Sequence, residues 1–320
     1  MSVTCRPSAL DAAGWDAASA AYPGANLLQS WEYGAAKAQG GWIAERLEFV
    51  ADGRIVGLAQ VMLRRLPVVG GGLAWCNRGP LGAGLEALRA HYLGRGFYLR
   101  VAPAGTDAVV APGFRQTGRI GWASAVLDLA PPVEALRAGL DGKWRNALAK
   151  AERSGLTVES GSGGAVLTEF LAGHARFLAE KQVPTTVTPG LIAALAELAP
   201  AGRTPMVYLA RAGGEAVGGV VVVHAGAGCE YLAGHSGEAG RKANATHFLL
   251  WQAICDMKAR GAVAFDVGGL DEFRTPAGIQ LFKRGLKGVP YRLAEEIEAC
   301  PASPLAHLVR WRVGRALEAS

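Results

Sequence analysis

The residues best placed to do chemistry lie between Gly261 and Gly288, in the run GAVAFDVGGLDEFRTPAGIQLFKRGLKG. Ala262 to Val267 reads as a buried strand, ended by the paired glycines Gly268-Gly269 at a turn of the kind that opens a cleft. A polar loop follows, and Gly278-Ile279-Gln280-Leu281-Phe282-Lys283 then returns the chain towards the sheet with one cation on it. A second cluster of cations lies in KWRNALAKAERSG, Lys143 to Gly155. At about 100° per residue, Lys143, Lys150 and Arg153 share one broad helical face while Arg145 points elsewhere. Such a row is either an ordinary solvated face or a phosphate-contacting one, because phosphates ask for cations rather than base-specific groups. The chain has no Walker P-loop, H-E-x-x-H, G-x-S-x-G or clustered Cys/His spacing, and its six histidines are scattered, so neither a metal nor a redox cofactor is expected.

The elements that must hold these groups are set by a chain of 320 residues, long for one core and comfortable for two. Half of it is hydrophobic and 19% charged, which supports a sizeable core and excludes global disorder. A formal charge of +6 favours polyanionic partners, nucleic acid or phosphorylated precursors. The five cysteines, Cys5, Cys76, Cys229, Cys255 and Cys300, are widely spaced and include no C-x-x-C pair, as in reduced thiols of a cytoplasmic protein. No secretory n- and h-region opens the sequence, and the longest apolar run, around Val217 to His224, is too short to cross a bilayer, so a soluble, cytoplasmic protein is expected.

In chain order, Ser30 is expected to cap a helix running to Lys37 and stopping at Gly40-Gly41. Strands are expected at Ala44–Val50, Ile55–Arg64 and Gly72–Cys76, with a hairpin turn at Asp52-Gly53. Leu85–Leu93 reads as a helix, Gly96–Val101 and Ala123–Leu129 as strands, and one helical run is expected from Pro132 through Arg153. A helix over Ala165–Glu180 carries His174 as a half-buried residue. Three antiparallel strands, Met206–Ala210, Ala216–His224 and Cys229–Gly234, precede a helix capped by Asn244, and a last helix spans residues 305–317. Ala51-Asp52-Gly53-Arg54-Ile55-Val56-Gly57 recurs as Ala212-Gly213-Gly214-Glu215-Ala216-Val217-Gly218, at the turn of a hairpin each time, which suggests two copies of one domain.

Three motifs carry a resemblance: Gln29-Ser30…Tyr33-Gly34…Lys37, the Lys143–Gly155 element, and D-x-G-G followed by G-I-x-x-F-K-x-G at Asp266–Gly285. Together they resemble the Fem family of aminoacyl-tRNA-dependent transferases, from about Gln29 to Gly288 and most strongly in the last third. The resemblance implies an α+β protein of two tandem GNAT-like domains, mixed sheets flanked by helices. The expected division is 1–155, binding the acceptor, and 156–320, binding aminoacyl-tRNA and carrying catalysis, with the C-terminal helix packing back on the second domain or extending its tRNA surface. Ordinary GNAT enzymes grip the coenzyme A pyrophosphate with Q/R-x-x-G-x-G/A at a helix N-terminus, and the matching Gly240–Thr246 lacks the paired glycines.

The implied reaction is aminolysis: an acceptor amine attacks the activated ester of an aminoacyl-tRNA, an oxyanion develops and the ribose hydroxyl leaves. The implied partners are aminoacyl-tRNA and a peptidoglycan precursor, lipid II or a UDP-MurNAc-peptide, with a peripheral contact to the inner membrane surface. By resemblance Lys283, with Phe282, orients the terminal nucleotide of the tRNA and offsets developing charge; on the residues alone Lys283 is also readable as a surface lysine beside a strand. Lys37 would contact phosphates or carboxylates of the acceptor, and Tyr231 would line its channel. Lys181 stands where the family tends to place an anion-binding arginine. Asp266 is either an acceptor for the incoming amine or a structural strand-end carboxylate. Lys143, Arg145, Lys150 and Arg153 would contact tRNA phosphates. Family members carry an aspartate before the proline at Pro103, where this chain has Ala102. The alternative function is acyl-CoA-dependent N-acylation of a small amine.

Overall fold

The computed structural model describes residues 2–67, 70–107, 111–182, 185–272 and 275–318. Two compact units divide the chain, Met1–Trp122 together with Arg292–Ser320, and Ala123–Tyr291.

The first unit opens with β1 (Thr4–Pro7), α1 (Ala12–Ala20) and, after a 3-10 turn at Leu27–Gln29, α2 (Trp31–Gln39). Ser30 caps α2 as expected, its hydroxyl accepting from the Tyr33 amide. The long hairpin of β2 (Ile43–Ala51) and β3 (Arg54–Arg65) leads to β4 (Gly72–Asn77), the short β5 (Leu81–Gly82), α3 (Leu85–Leu93), β6 (Phe97–Ala102) and β7 (Arg115–Gln116). Leu47, Phe49, Val61 and Leu63, alternate residues of the two long strands, meet Leu88 and Tyr92 of α3 in the core, as the two-residue period of a strand requires.

In the second unit β8 (Ala123–Asp128) is followed by α4 (Val133–Gly139) and α5 (Gly142–Glu152). The single helix expected there is thus broken at Leu140, whose backbone is extended, before Asp141 restarts the chain by capping α5. Next come β9 (Thr157–Gly161), α6 (Gly164–Lys181), α7 (Pro189–Leu198), β10 (Met206–Ala212), β11 (Glu215–Ala225) and β12 (Gly228–Ser236). The unit closes with α8 (Glu238–Lys242), α9 (Ala245–Ala259), β13 (Ala264–Asp266), α10 (Ala277–Arg284) and β14 (Val289–Arg292). The Ala262–Val267 strand is therefore shorter than expected, and Gly278–Lys283 forms a helix. Both faces of the sheet are covered. Tyr208, Val220 and Val222 face α5 and α9 through Leu148, Leu249 and Ile254, while Val207, Leu209 and Val221 face α6 and α7 through Phe170 and Ile192. The chain then re-enters the first unit as β15 (Ile297–Ala299) and α11 (Pro304–Glu318).

The first sheet has the order β1-β2-β3-β4-β6-β15-β7, with β5 on β3, and the second β14-β8-β13-β12-β11-β10-β9. The division falls at Trp122/Ala123 instead of the expected 155/156. β8 pairs residue by residue with β13 and α5 packs on α9, so 123–155 is bound into the second unit by its ladder and core. In the same way β15 pairs with β6, and α11 lies against β4 and β6. The C-terminal helix therefore packs on the first unit, a correction to the expected packing on the second.

The short sequence repeat is matched by geometry. In both hairpins the two turn residues have positive φ, Asp52 and Gly53 at 49° and 74°, Gly213 and Gly214 at 58° and 90°, as a two-residue type I′ turn demands. Both hairpins also carry a bulge at the same place, between Phe49 and Val50 and between Ala210 and Arg211. Each continues through a third antiparallel strand, a helix and a strand parallel to the third, β4-α3-β6 and β12-α9-β13. Two copies of one GNAT-like topology thus make up the protein.

Candidate active site

The second unit holds a buried lysine where its central strands part. β12 and β13 pair in parallel only at Cys229↔Phe265 and Glu230↔Asp266. Just beyond, β12 slips register against β11 between Val221 and Val222, which carries Tyr231 past a bulge. On the other strand the chain turns at Gly268, with φ at 70°, and the Gly268 amide donates to Asp266 Oδ1 at 2.8 Å in an Asx-type turn. A Cβ on Gly268 would stand 2.6 Å from the Tyr231 carbonyl oxygen, so the turn needs glycine for space as well as for φ.

Lys283 rises into this place from α10. It is only 8% exposed, its Nζ donates to the Gly269 carbonyl at 3.1 Å and lies 5.3 Å from the centre of the Tyr231 ring. Burial lowers its pKa to about 8, against the opposing pull of the Glu230 and Asp266 carboxylates. α10 is thus inverted relative to an ordinary amphipathic helix: its lysine is buried while Leu281 is 73% exposed. Holding a cation in so little water is costly in stability, which is characteristic of functional sites. Tyr231 lies beneath the ammonium, with burial pushing its phenol pKa up. A Cβ on Gly234 would fall 2.4 Å from the Tyr231 hydroxyl, so a glycine there leaves the ring its room.

Asp266 is held by three internal donors: the Ser124 hydroxyl and Gly268 amide on Oδ1, and the Tyr291 hydroxyl at 2.5 Å on Oδ2. Ser124 Oγ also lies 2.9 Å from the Gly268 carbonyl. Of the two readings open for Asp266, the hydrogen bonds favour the structural one. It shapes the turn whose carbonyl receives Lys283, a structural duty that stands beside the expected role as an acceptor for the incoming amine. The i to i+2 bond was foreshadowed by D-x-G in the sequence; Ser124 and Tyr291, distant in the chain, carried no signal.

Phe282 turns to the other side of α10, into an aromatic group with Trp144 and His247. Its ring stacks on Trp144 at 6.1 Å and 28° and meets His247 edge-on at 4.8 Å and 86°. The Trp144 Nε1–H donates to the Phe282 carbonyl at 3.1 Å, pinning α5 to the lysine's own helix. Burial lowers the His247 pKa to about 4. His247 stays neutral in the fold, while the unfolded chain takes up a proton as pH falls below 6.5, so its contribution to stability is lost between pH 6.5 and 4. His235 is depressed to about 4 as well, mainly by burial. Replacing His247→Phe should keep the packing and make the decline in unfolding free energy between pH 7 and 4.5 shallower, by on the order of 1–2 kcal/mol. Urea unfolding at both pH values measures this; an unaltered difference between them contradicts the assignment.

Of the cations on α5, Lys143, Lys150 and Arg153 are exposed. Arg145, exposed as well, bonds the carbonyls of Ala138 and Leu140 through one guanidinium nitrogen and so closes the break between α4 and α5, a structural duty beside its expected place among the tRNA contacts. Lys181 ends α6, exposed, in the helical layer across the sheet from α5 and α9. Lys37 belongs to the first unit, half-buried in the last turn of α2, its pKa lowered by burial and then by Arg64. Ala102 ends β6. Before α9, the amides of Arg241, Ala243 and Asn244 all donate within the segment, to Gly237, Ala239 and Arg241. Asn244 sits at the N-cap position in a left-handed conformation, φ 55°, with no side-chain cap bond, in contrast to the capping expected of it. Among the described residues no cluster of three His, Cys, Asp or Glu could hold a metal, no helix is long and apolar enough to cross a membrane, and the five cysteines are free.

Residues 140–284, the stretch that contains α5, α9, β13 and α10, match the acetyltransferase (GNAT) domain family. No curated protein matches the sequence. Among solved structures, FemX is similar at 16% identity over 96% of this chain and 99% of that one, with a TM-score of 0.79. A tandem GNAT protein from the clavulanic acid biosynthesis pathway is similar at 13% identity over 95% and 99%, TM-score 0.57. L-PGS from Bacillus licheniformis is similar at 13% identity over 87% and 90%, TM-score 0.54. The chain is therefore a tandem GNAT-fold protein, with a GNAT-type domain over 140–284 and, across nearly all its length, the fold of FemX.

Proposed function

We propose that this protein is an aminoacyl-tRNA-dependent transferase that adds an amino acid to an amine of a peptidoglycan precursor, lipid II or a UDP-MurNAc-peptide. The acceptor amine attacks the ester carbonyl, the C–N bond forms, the C–O bond to the ribose breaks and the proton passes to the departing ribose hydroxyl. The observation that carries the reading is Lys283, a cation kept out of water between Gly269 and Tyr231. An ammonium so placed offsets oxyanion charge far better than a solvated one. Phe282 would seat the terminal nucleotide, the exposed Lys143, Lys150 and Arg153 would follow tRNA phosphates, and Lys181 would meet an anionic group of the bound substrates. The first unit would bind the acceptor through Lys37, and the second the aminoacyl-tRNA, with Tyr231 lining the acceptor channel. With Ala102 in place of a carboxylate, no side chain at that position serves as base.

The match of residues 140–284 to the acetyltransferase domain family favours a second reading, acyl-CoA-dependent N-acylation. Against it, the Gly240–Thr246 segment at the start of α9 lacks the paired glycines, and the amides of Arg241, Ala243 and Asn244 already donate to the carbonyls of Gly237, Ala239 and Arg241. Incubating the purified chain with mixed charged tRNAs and lipid II, and in parallel with acetyl-CoA, decides between them. Transfer of labelled amino acid to the precursor is expected; acetyl transfer with no aminoacyl transfer overturns the proposal.

A further inference from the structure

The last helix, α11, has two faces of different chemistry. Its inner face, with Ala306 buried and Leu305, Val309 and Val313 half-buried, lies on β4 and β6. Arg310 holds it down through Glu298 at 2.7 Å, a carboxylate that also takes Arg115 at 2.9 Å and the Tyr98 hydroxyl. The outer face presents Leu308, 50% exposed, and Trp311, 55% exposed, with the exposed Arg312 and Arg315 beside them. At about 100° per residue these four span roughly 100° of the helix. The Arg315 guanidinium lies 5.2 Å from the Trp311 ring centre, and from Pro304 to Ala316 the helix carries no acidic residue.

We infer that this outer face docks the protein on an anionic lipid bilayer. Two large apolar side chains left in water, one of them a tryptophan, match the depth at which lipid headgroups give way to acyl chains, where the indole is at home. The arginines at the same level meet lipid phosphates, and the helix carries no acid before Glu318 in its last position, so none lies among these side chains to oppose the attraction. A nucleic acid would use the arginines but has no use for Leu308. The inner face and the Glu298 ion pairs hold the helix to its unit, so the outer residues are free of any duty in folding. The inference goes beyond the transfer reaction, since lipid binding is read without turnover; a lipid-linked acceptor would give it a purpose.

The test is sedimentation of the full chain with large unilamellar vesicles in roughly 0.1 M salt, where charges act over about 10 Å. Equimolar phosphatidylglycerol and phosphatidylcholine should carry the protein down, and pure phosphatidylcholine should leave most of it in solution. Leu308→Ala with Trp311→Ala should weaken binding by about tenfold or more, and Arg312→Gln or Arg315→Gln by about fivefold each. The thermal midpoint should stay unaltered in every variant. The inference is overturned if the unsubstituted protein ignores phosphatidylglycerol vesicles, or if the double variant sediments as well as it does. It is equally overturned if, without lipid, the double variant loses affinity for charged tRNA, which would give the face to RNA.

Discussion

Lys283→Met should lower turnover by about 10²–10³-fold, the usual loss when one preorganised charge at an oxyanion is removed, while making the protein no less stable at pH 7. The two effects share a cause. Folding lowers the ammonium's pKa from 10.5 to about 8, so at pH 7 the native state holds a proton that the unfolded chain holds more tightly. That difference amounts to a penalty on the order of 3 kcal/mol. Methionine removes the penalty and gives up the bond to Gly269, worth about 1 kcal/mol. A net gain of about 1–2 kcal/mol is expected in urea unfolding at pH 7. The sign with pH follows: between about 8 and 10.5 the unfolded state holds the extra proton and the native state does not, so wild-type stability rises with pH relative to the variant and the gain fades by pH 10. Activity should move the other way, since the proposed role needs the charged form, and wild-type turnover should decline above pH 8. Lys283→Arg should retain part of the rate and show no such decline, because a guanidinium stays charged. A Met variant with normal turnover removes Lys283 from the mechanism; a variant less stable at pH 7 removes the account of its burial.

The second large effect concerns the row on α5. Replacing Lys143, Lys150 and Arg153 together by glutamine should flatten the slope of log K against log salt for tRNA by about two to three units, one for each phosphate left without its cation. The weakening should be the same for tRNAs of different sequence, because phosphate contacts position without reading bases. All three side chains are exposed, so folding should be untouched. Arg145→Gln offers the internal contrast. It should leave the salt slope alone and lower the thermal midpoint, since its guanidinium closes the α4–α5 break. Filter binding across a salt series gives the slopes. An unchanged slope in the triple variant would mean that the row is merely a solvated face.

The sequence by itself determined much of the architecture. The α2 cap at Ser30, the long hairpins and the repeat that pairs them were legible because they rest on local rules: a hydroxyl at an N-cap, alternation along strands, two turn residues of positive φ. The tandem plan and the Asp266–Lys283 region followed from motifs of the same local kind. The boundary at Trp122, the return of β15 and α11 to the first unit, and the break at Leu140 did not follow, because each depends on which distant strand or helix completes a ladder or core.

The same limit governs the site. Composition and spacing placed Lys283 near a turn but left it readable as a surface lysine. Only the fold decided that it is buried, by bringing Tyr231 from β12 and Gly269 from beyond β13 around one ammonium. Asp266 and Arg145 were legible by type and motif, whereas their partners Ser124, Tyr291 and two backbone carbonyls, which lie elsewhere in the chain or around a helix break, came only with the fold. A charged residue's type is fixed by the chain, whereas its freedom to act depends on which partners reach it first, and these arrive from other elements.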